Sequence, residues 1–251
     1  MAPVLYYERV ELPTDKKDEA PQSGAAGGLN SMRDETASAA PAGANEEIFN
    51  WGAVAMHARE AEAVNVKRAP VTVAVVDSGV EDTHPDLEGR VDTSRSVKCS
   101  VNGVATQDFY GWRDDYFHGT HVAGSIAAKH DGVGVDGVNP TLRIAAINAA
   151  SRNGGFFYPE YIVCGFVWAA EHGISVTNGS YYVDPWKYWL PNDPEQAAGQ
   201  EAVQRAVDYA NSKDVVNVVA AGNFSTDLDN LPTTDDSAPG GPSRGEKAVP
   251  C

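Results

Sequence analysis

Three polar residues stand at the ends of otherwise apolar stretches, and each is of a type that does chemistry. His118 opens Phe117–Ala128, a run built largely of glycine, alanine and serine. An imidazole at a helix mouth can take and return a proton, because its pKa lies near neutrality and neighbouring groups can tune it. Asp77 closes the β-branched run Val71–Val76 and begins Asp77-Ser78-Gly79-Val80. A carboxylate at the C-terminal end of a central strand sits where open α/β sheets place their active sites. Asn223 follows another apolar run, Val215–Ala221, and offers an amide donor. Taken singly, His118 also suits a capped core helix and Asp77 a turn-forming Asp-Ser-Gly. Their occurrence together is what favours chemistry.

The elements that must position them follow from periodicity. Val71–Val76 reads as a strand buried on both faces of a parallel sheet. Leu142–Ile147, Ile174–Asn178 and Val215–Ala221 read as further strands. Helices are predicted over Ala53–Val64, over the His118 run, over Tyr158–His172 and over Pro194–Ser212. In the third, Ile162, Val163, Phe166, Val167 and Ala170 recur at helical spacing; in the fourth, Ala198, Ala202, Val203, Ala206, Val207 and Ala210 do. Strands alternating with helices mean an α/β fold, a doubly wound parallel sheet with helices on both faces. Gly119 and Gly124 cost the His118 helix about 1 kcal/mol each against alanine, so tight packing or a ligand should justify them.

Asp, then His, then a strand-end Asn on such a sheet is the order that subtilisin-type serine proteases use. Four segments carry the resemblance: Val75-Val76-Asp77-Ser78-Gly79-Val80, Thr83-His84-Pro85-Asp86-Leu87, His118-Gly119-Thr120-His121-Val122-Ala123-Gly124 and Val218-Val219-Ala220-Ala221-Gly222-Asn223. From Trp51 to Asn223 the chain resembles a subtilase. The resemblance implies a serine endopeptidase in which Asp77 holds the imidazole, His118 is the general base and Asn223 donates to the oxyanion. It implies that Ser180, Tyr181 and Tyr182 bind substrate backbone and wall a specificity pocket, with Tyr182 standing where the family usually has glycine. The aromatic segment Pro185–Leu190 would line that pocket or form a lid. It further implies structural calcium, with Asp86 and Asp131 as ligands and carbonyls of the His130–Val135 loop completing the shell; an ordinary Asp-Gly turn is the alternative. No organic cofactor is implied, the partner is a peptide or protein substrate, and the place of action is extracellular.

The departure is the nucleophile. Subtilases carry it in a Gly-Thr-Ser-type turn that opens a second buried helix. Ser225, Ser237 and Ser243 follow Asn223, and none opens an apolar helix. The expected organisation is therefore a tail over 1–48, disordered or a remnant of a pro-segment, then a partial peptidase domain over 49–251 that is incomplete at its C-terminus. Within it, 225–251 is expected to be an irregular loop. A catalytically inactive subtilase fold that binds peptides or a partner is the alternative.

Composition bounds the partners. The 251 residues hold 35 acidic and 19 basic side chains, a net charge of −16, which argues against a nucleic-acid backbone. No run of apolar residues is long enough to span a bilayer, and the first residues show no basic-then-apolar signal pattern. Cys99, Cys164 and Cys251 form no Cys-x-x-Cys and cannot all pair internally. Cys164, among apolar helix positions, reads as a core thiol. His118-x-x-His121 lacks the glutamate of a zinc-protease helix.

Overall fold

The computed structural model describes residues 47–48, 51–64, 70–108, 110–152, 155–189, 193–223, 225, 227 and 249–250. Most of the tail predicted over 1–48, and most of the loop predicted over 225–251, lie outside these residues. Glu47–Ile48 nevertheless form a short strand, β1, and Val249–Pro250 form another, β9, and both are paired.

Five parallel strands make the central sheet, in the order β3-β5-β2-β6-β8. They are β2 (Thr72–Asp77), β3 (Val97–Lys98), β5 (Arg143–Asn148), β6 (Val176–Gly179) and β8 (Val216–Val219). The run that begins at Val71 forms β2, the middle strand, because every second residue faces a different helix layer. Val73 and Val75 pack with Ala123, Ala127, Ile144 and Ala146 on one face. Ala74 and Val76 pack with Ile147, Ile162, Phe166 and Ala206 on the other. No face of β2 meets water, which is why its sequence does not alternate.

The helix α3 (His118–Ala127) covers the first face, while α4 (Pro159–Glu171) and α5 (Pro194–Ser212) cover the second. The predicted helix over Ala53–Val64 is broken into α1 (Trp51–Ala55) and α2 (Ala58–Ala63). His57 at the break adopts φ of 54°, a left-handed conformation that no glycine or proline announces.

Two predicted helix faces are rotated. On α5 the buried residues are Gln196, Val203, Ala206 and Ala210, with Ala198 and Ala202 exposed. The cause is Trp189, whose ring lies so close to Gly199 that a Cβ there would stand 2.5 Å from it. On α4 Cys164 and Gly165 are buried while Val167 is exposed. Gly165 lets the helix approach Val76 and Ile147 on the sheet.

Cys164 is not a free thiol. It forms a disulfide with Cys99, just beyond β3, across a sequence separation of 65, and so ties α4 to the edge of the sheet. Within the segment predicted as lid or pocket wall, Tyr188 and Trp189 are buried in the core. Tyr188–Trp189 form β7, which pairs antiparallel with β9. Trp189 is 1% exposed, its indole N–H donates to the Val183 carbonyl, and Trp186 meets it edge to face. Nearby Asp184 is buried and accepts the Phe157 N–H, and its burial pushes its carboxyl up to about 6.

Candidate active site

Asp77 ends β2 with its side chain fully buried, and α3 begins with His118 directly above it. The backbones meet because two residues lack a Cβ. A Cβ on Gly119 would stand 2.1 Å from the Gly79 carbonyl oxygen, and Gly79 itself holds φ of 110° with its Cα against Trp112 and Arg113. Gly119 thus answers the requirement for tight packing in this helix. Gly124 does not: a Cβ there would meet only a Val135 methyl, at 3.9 Å.

The consequence is a short contact between residues 41 apart in sequence. The Nδ1 of His118 lies 2.8 Å from Asp77 Oδ1 and 2.9 Å from Oδ2. Nδ1–H donates to the carboxylate, which leaves Nε2 as the free acceptor. Among the described residues Nε2 has no hydrogen-bond partner. The hydrogen bond to Asp77 raises the His118 pKa, burial opposes that, and the charges of Asp77 and Asp114 add to the rise.

Asp114 was not legible as a functional residue, and it binds the two elements together. Its Oδ1 accepts from Ser78 Oγ at 2.8 Å and from the N–H groups of Tyr116 and Phe117. Its Oδ2 accepts the Thr120 N–H at 2.8 Å and the Thr120 hydroxyl. Ser78, next to Asp77, accepts in turn from the Gly119 N–H. One carboxylate therefore satisfies orphan donors at the mouth of α3, holds Phe117 in its left-handed conformation and grips the turn after β2. The available signal was an Asp-Asp pair four residues before a helix, a cap displaced from its usual position. Loss of such a cap costs about 1–2 kcal/mol. Asp114→Ala is expected to lower the thermal midpoint accordingly and to lower the His118 pKa; an unchanged His118 titration would contradict this.

Asn148 completes the floor. Its buried carboxamide donates to the carbonyls of Ser78 and Arg113 and accepts from Ser100 Oγ. Asn223 lies beyond β8, on the edge of the sheet where β2 delivers Asp77, and is exposed. Ser180, Tyr181 and Tyr182 follow β6, whose Gly179 pairs with Val76 of β2. Ser180 accepts from the Asn178 side chain, and Tyr182 is half-buried. Tyr181 stacks on Phe157 with centroids 4.6 Å apart and packs against the core, so its ring supports the site from below.

Asp86 and Asp131 were expected to ligate calcium. The Asp86 carboxylate is buried under the loop that ends in β4 (Gly134–Val135), where it accepts the Val135 N–H at 3.1 Å. A Cβ on Gly134 would stand 2.5 Å from Asp86 Oδ1. Asp131 is exposed and accepts the Val133 N–H of its own loop, which also fits the plain turn. Among the described residues no three Asp, Glu, His or Cys side chains cluster as a metal site. The Asp86 carboxylate is of the oxygen-donor type that calcium takes.

Comparison with known proteins agrees with this geometry. Fervidolysin from Fervidobacterium pennivorans is 36% identical over 190 residues, 72% of this chain and 25% of that protein. Subtilisin E from Bacillus subtilis is 34% identical over 171 residues, 68% of this chain and 38% of its own length. The chain thus spans well under half the length of these relatives. Among solved structures, the epidermin leader peptide processing serine protease of Staphylococcus aureus superposes with a TM-score of 0.56 at 25% identity, covering 65% of this chain and 40% of that one. The nisin leader peptidase of Lactococcus lactis, at 23% identity, shares the fold with a TM-score of 0.57, over 68% of this chain and 49% of its own. The profile of the Subtilase family matches residues 68–246, more than half of the chain and the whole of the sheet. With its parallel sheet and its helices in the arrangement of subtilisin-like proteases, this protein belongs to the subtilase family.

Proposed function

We propose that the chain supplies the acid–base half of a serine endopeptidase that cleaves peptide bonds through an Asp-His-Ser triad. The observation that carries this reading is the contact between Asp77 and His118, 2.8 Å long and made across 41 residues. Asp77 fixes the Nδ1–H tautomer and stabilises the imidazolium that forms when Nε2 accepts a proton. Nε2 takes that proton from a serine hydroxyl as the hydroxyl attacks the substrate carbonyl, then returns it to the leaving amine. The Asn223 amide donates to the oxygen that becomes negative in the tetrahedral intermediate. Residues 180–182 pair with an extended substrate as an added strand.

No serine in the 251 residues matches the nucleophile's turn. That observation favours a second reading, a non-catalytic subtilase fold that binds peptides. The coding sequence separates the two. A Gly-Thr-Ser turn read in frame beyond Cys251, in a chain whose casein hydrolysis disappears with His118→Ala, supports the peptidase. A stop codon directly after Cys251 supports the binder.

In the peptidase reading calcium is structural, held by Asp86 and Asp131 with carbonyls of their loop, and the enzyme acts outside the cell. Among the described residues no helix is long and apolar enough to cross a membrane.

A further inference from the structure

At the edge of the sheet, beside β3 and the mouth of α4, lies a cavity of about 370 Å³ lined by Lys98, Ser100, Ser151, Arg152, Tyr158 and Tyr161. Its chemistry runs against the composition of the chain. In a protein of net charge −16 this cavity holds two cations and four hydroxyls, and among the described residues no carboxylate lines it. Lys98 is 6% exposed, and its ammonium makes no hydrogen bond or ion pair among the described residues. The stem of Lys98 is buried while its ammonium opens onto the cavity, where three N–H donors stand ready for an acceptor. The Tyr158 and Tyr161 hydroxyls are also unpartnered among the described residues. Ser151 Oγ accepts the Phe156 N–H and keeps its own proton to donate.

Arg152 stands at the rim, with its side chain largely exposed and 3.4 Å from Asp115. Among the described residues this carboxylate pairs with the guanidinium and makes no ion pair with Lys98. The rim is also joined to the acid–base pair: the Tyr116 hydroxyl donates to the carbonyls of Ser151 and Arg152, two residues before His118.

We propose that this cavity binds a carboxylate, and that its source is an acidic side chain of the peptide substrate. The second half of that statement rests on the peptidase reading; anion binding at Lys98 does not. A carboxylate is planar and acceptor-only, so it can receive the Lys98 ammonium and the tyrosine hydroxyls together. The site then makes Glu or Asp a favoured residue at one position of the substrate, several residues from the bond cleaved.

Binding of acetyl-Ala-Glu-Ala-Ala-amide and of its Gln counterpart to the full chain, followed by calorimetry, tests this. The Glu peptide should bind at least about tenfold more tightly, the ratio that one charge-assisted hydrogen bond sustains. Lys98→Met should abolish the ratio, Lys98→Arg should keep most of it, and Arg152→Ala, at the exposed rim, should reduce it without affecting folding. Equal binding of the two peptides, or a Glu preference that survives Lys98→Met or is untouched by Arg152→Ala, overturns the carboxylate site and leaves the peptidase reading standing. Sodium glutarate supplies the other arm. If glutarate raises the thermal midpoint through Lys98 while neither peptide binds, the assignment to substrate is overturned and the peptidase reading loses support.

Discussion

Given casein or a short peptide, the 251-residue chain is expected to release no more product than its His118→Ala variant. His118 is ready to act as a base, since Nδ1–H is held by Asp77 and Nε2 is free. Among the described residues it has no hydroxyl to deprotonate. Among the described residues no serine or threonine hydroxyl bonds to Nε2, and Thr120, the nearest in sequence, donates to Asp114. In the proposed reading, a base and an oxyanion donor without a nucleophile would leave only weak residual catalysis, roughly 10³–10⁴ over solution and far below a working protease. Turnover above the His118→Ala control would show that a hydroxyl of this chain reaches the site.

The second large effect concerns the Cys99–Cys164 bridge. It closes a loop of 65 residues and joins β3, at the edge of the sheet, to the middle of α4. The loop-entropy relation assigns such a closure about 4 kcal/mol. That is a large part of the stability of an ordinary domain. A reducing agent, or the pair of changes Cys99→Ala and Cys164→Ala, should therefore lower the thermal midpoint of the chain by several degrees or more. Superimposable melts with and without reductant would refute the claim. Cys251 lies outside the described residues and takes no part in this bridge.

The parts of this structure that were legible are those in which one pattern dominates. Val73–Val76 are β-branched or small on both faces, and only a strand between two helix layers satisfies that pattern. The predicted helix over Pro194–Ser212 has the bounds found for α5. What escaped was decided by partners distant in sequence. Cys164 sits at a buried helical position like any apolar residue, and nothing local reveals a cysteine 65 residues away. Ala198 and Ala202 fit the apolar stripe of α5, yet Trp189 against Gly199 turns that face outward. In the candidate site, Asp77 and His118 were legible by type and order, whereas Asp114 was not, because its role is to accept hydrogen bonds from both elements at once.

The central claim is that Asp77 and His118 form one acid–base unit. The sign of its pH dependence follows from the raised His118 pKa. The charged imidazole is favoured in the folded chain, so the pair stabilises the fold fully below the ordinary histidine pKa. That contribution fades as pH rises through the elevated value. The most direct measurement is an NMR titration of the His118 ring nitrogens in the wild type and in Asp77→Asn. The account predicts a midpoint above the ordinary histidine value, with the proton of the neutral ring on Nδ1, and a lower midpoint in the variant. A His118 midpoint at or below the ordinary value, unmoved by Asp77→Asn, would contradict it.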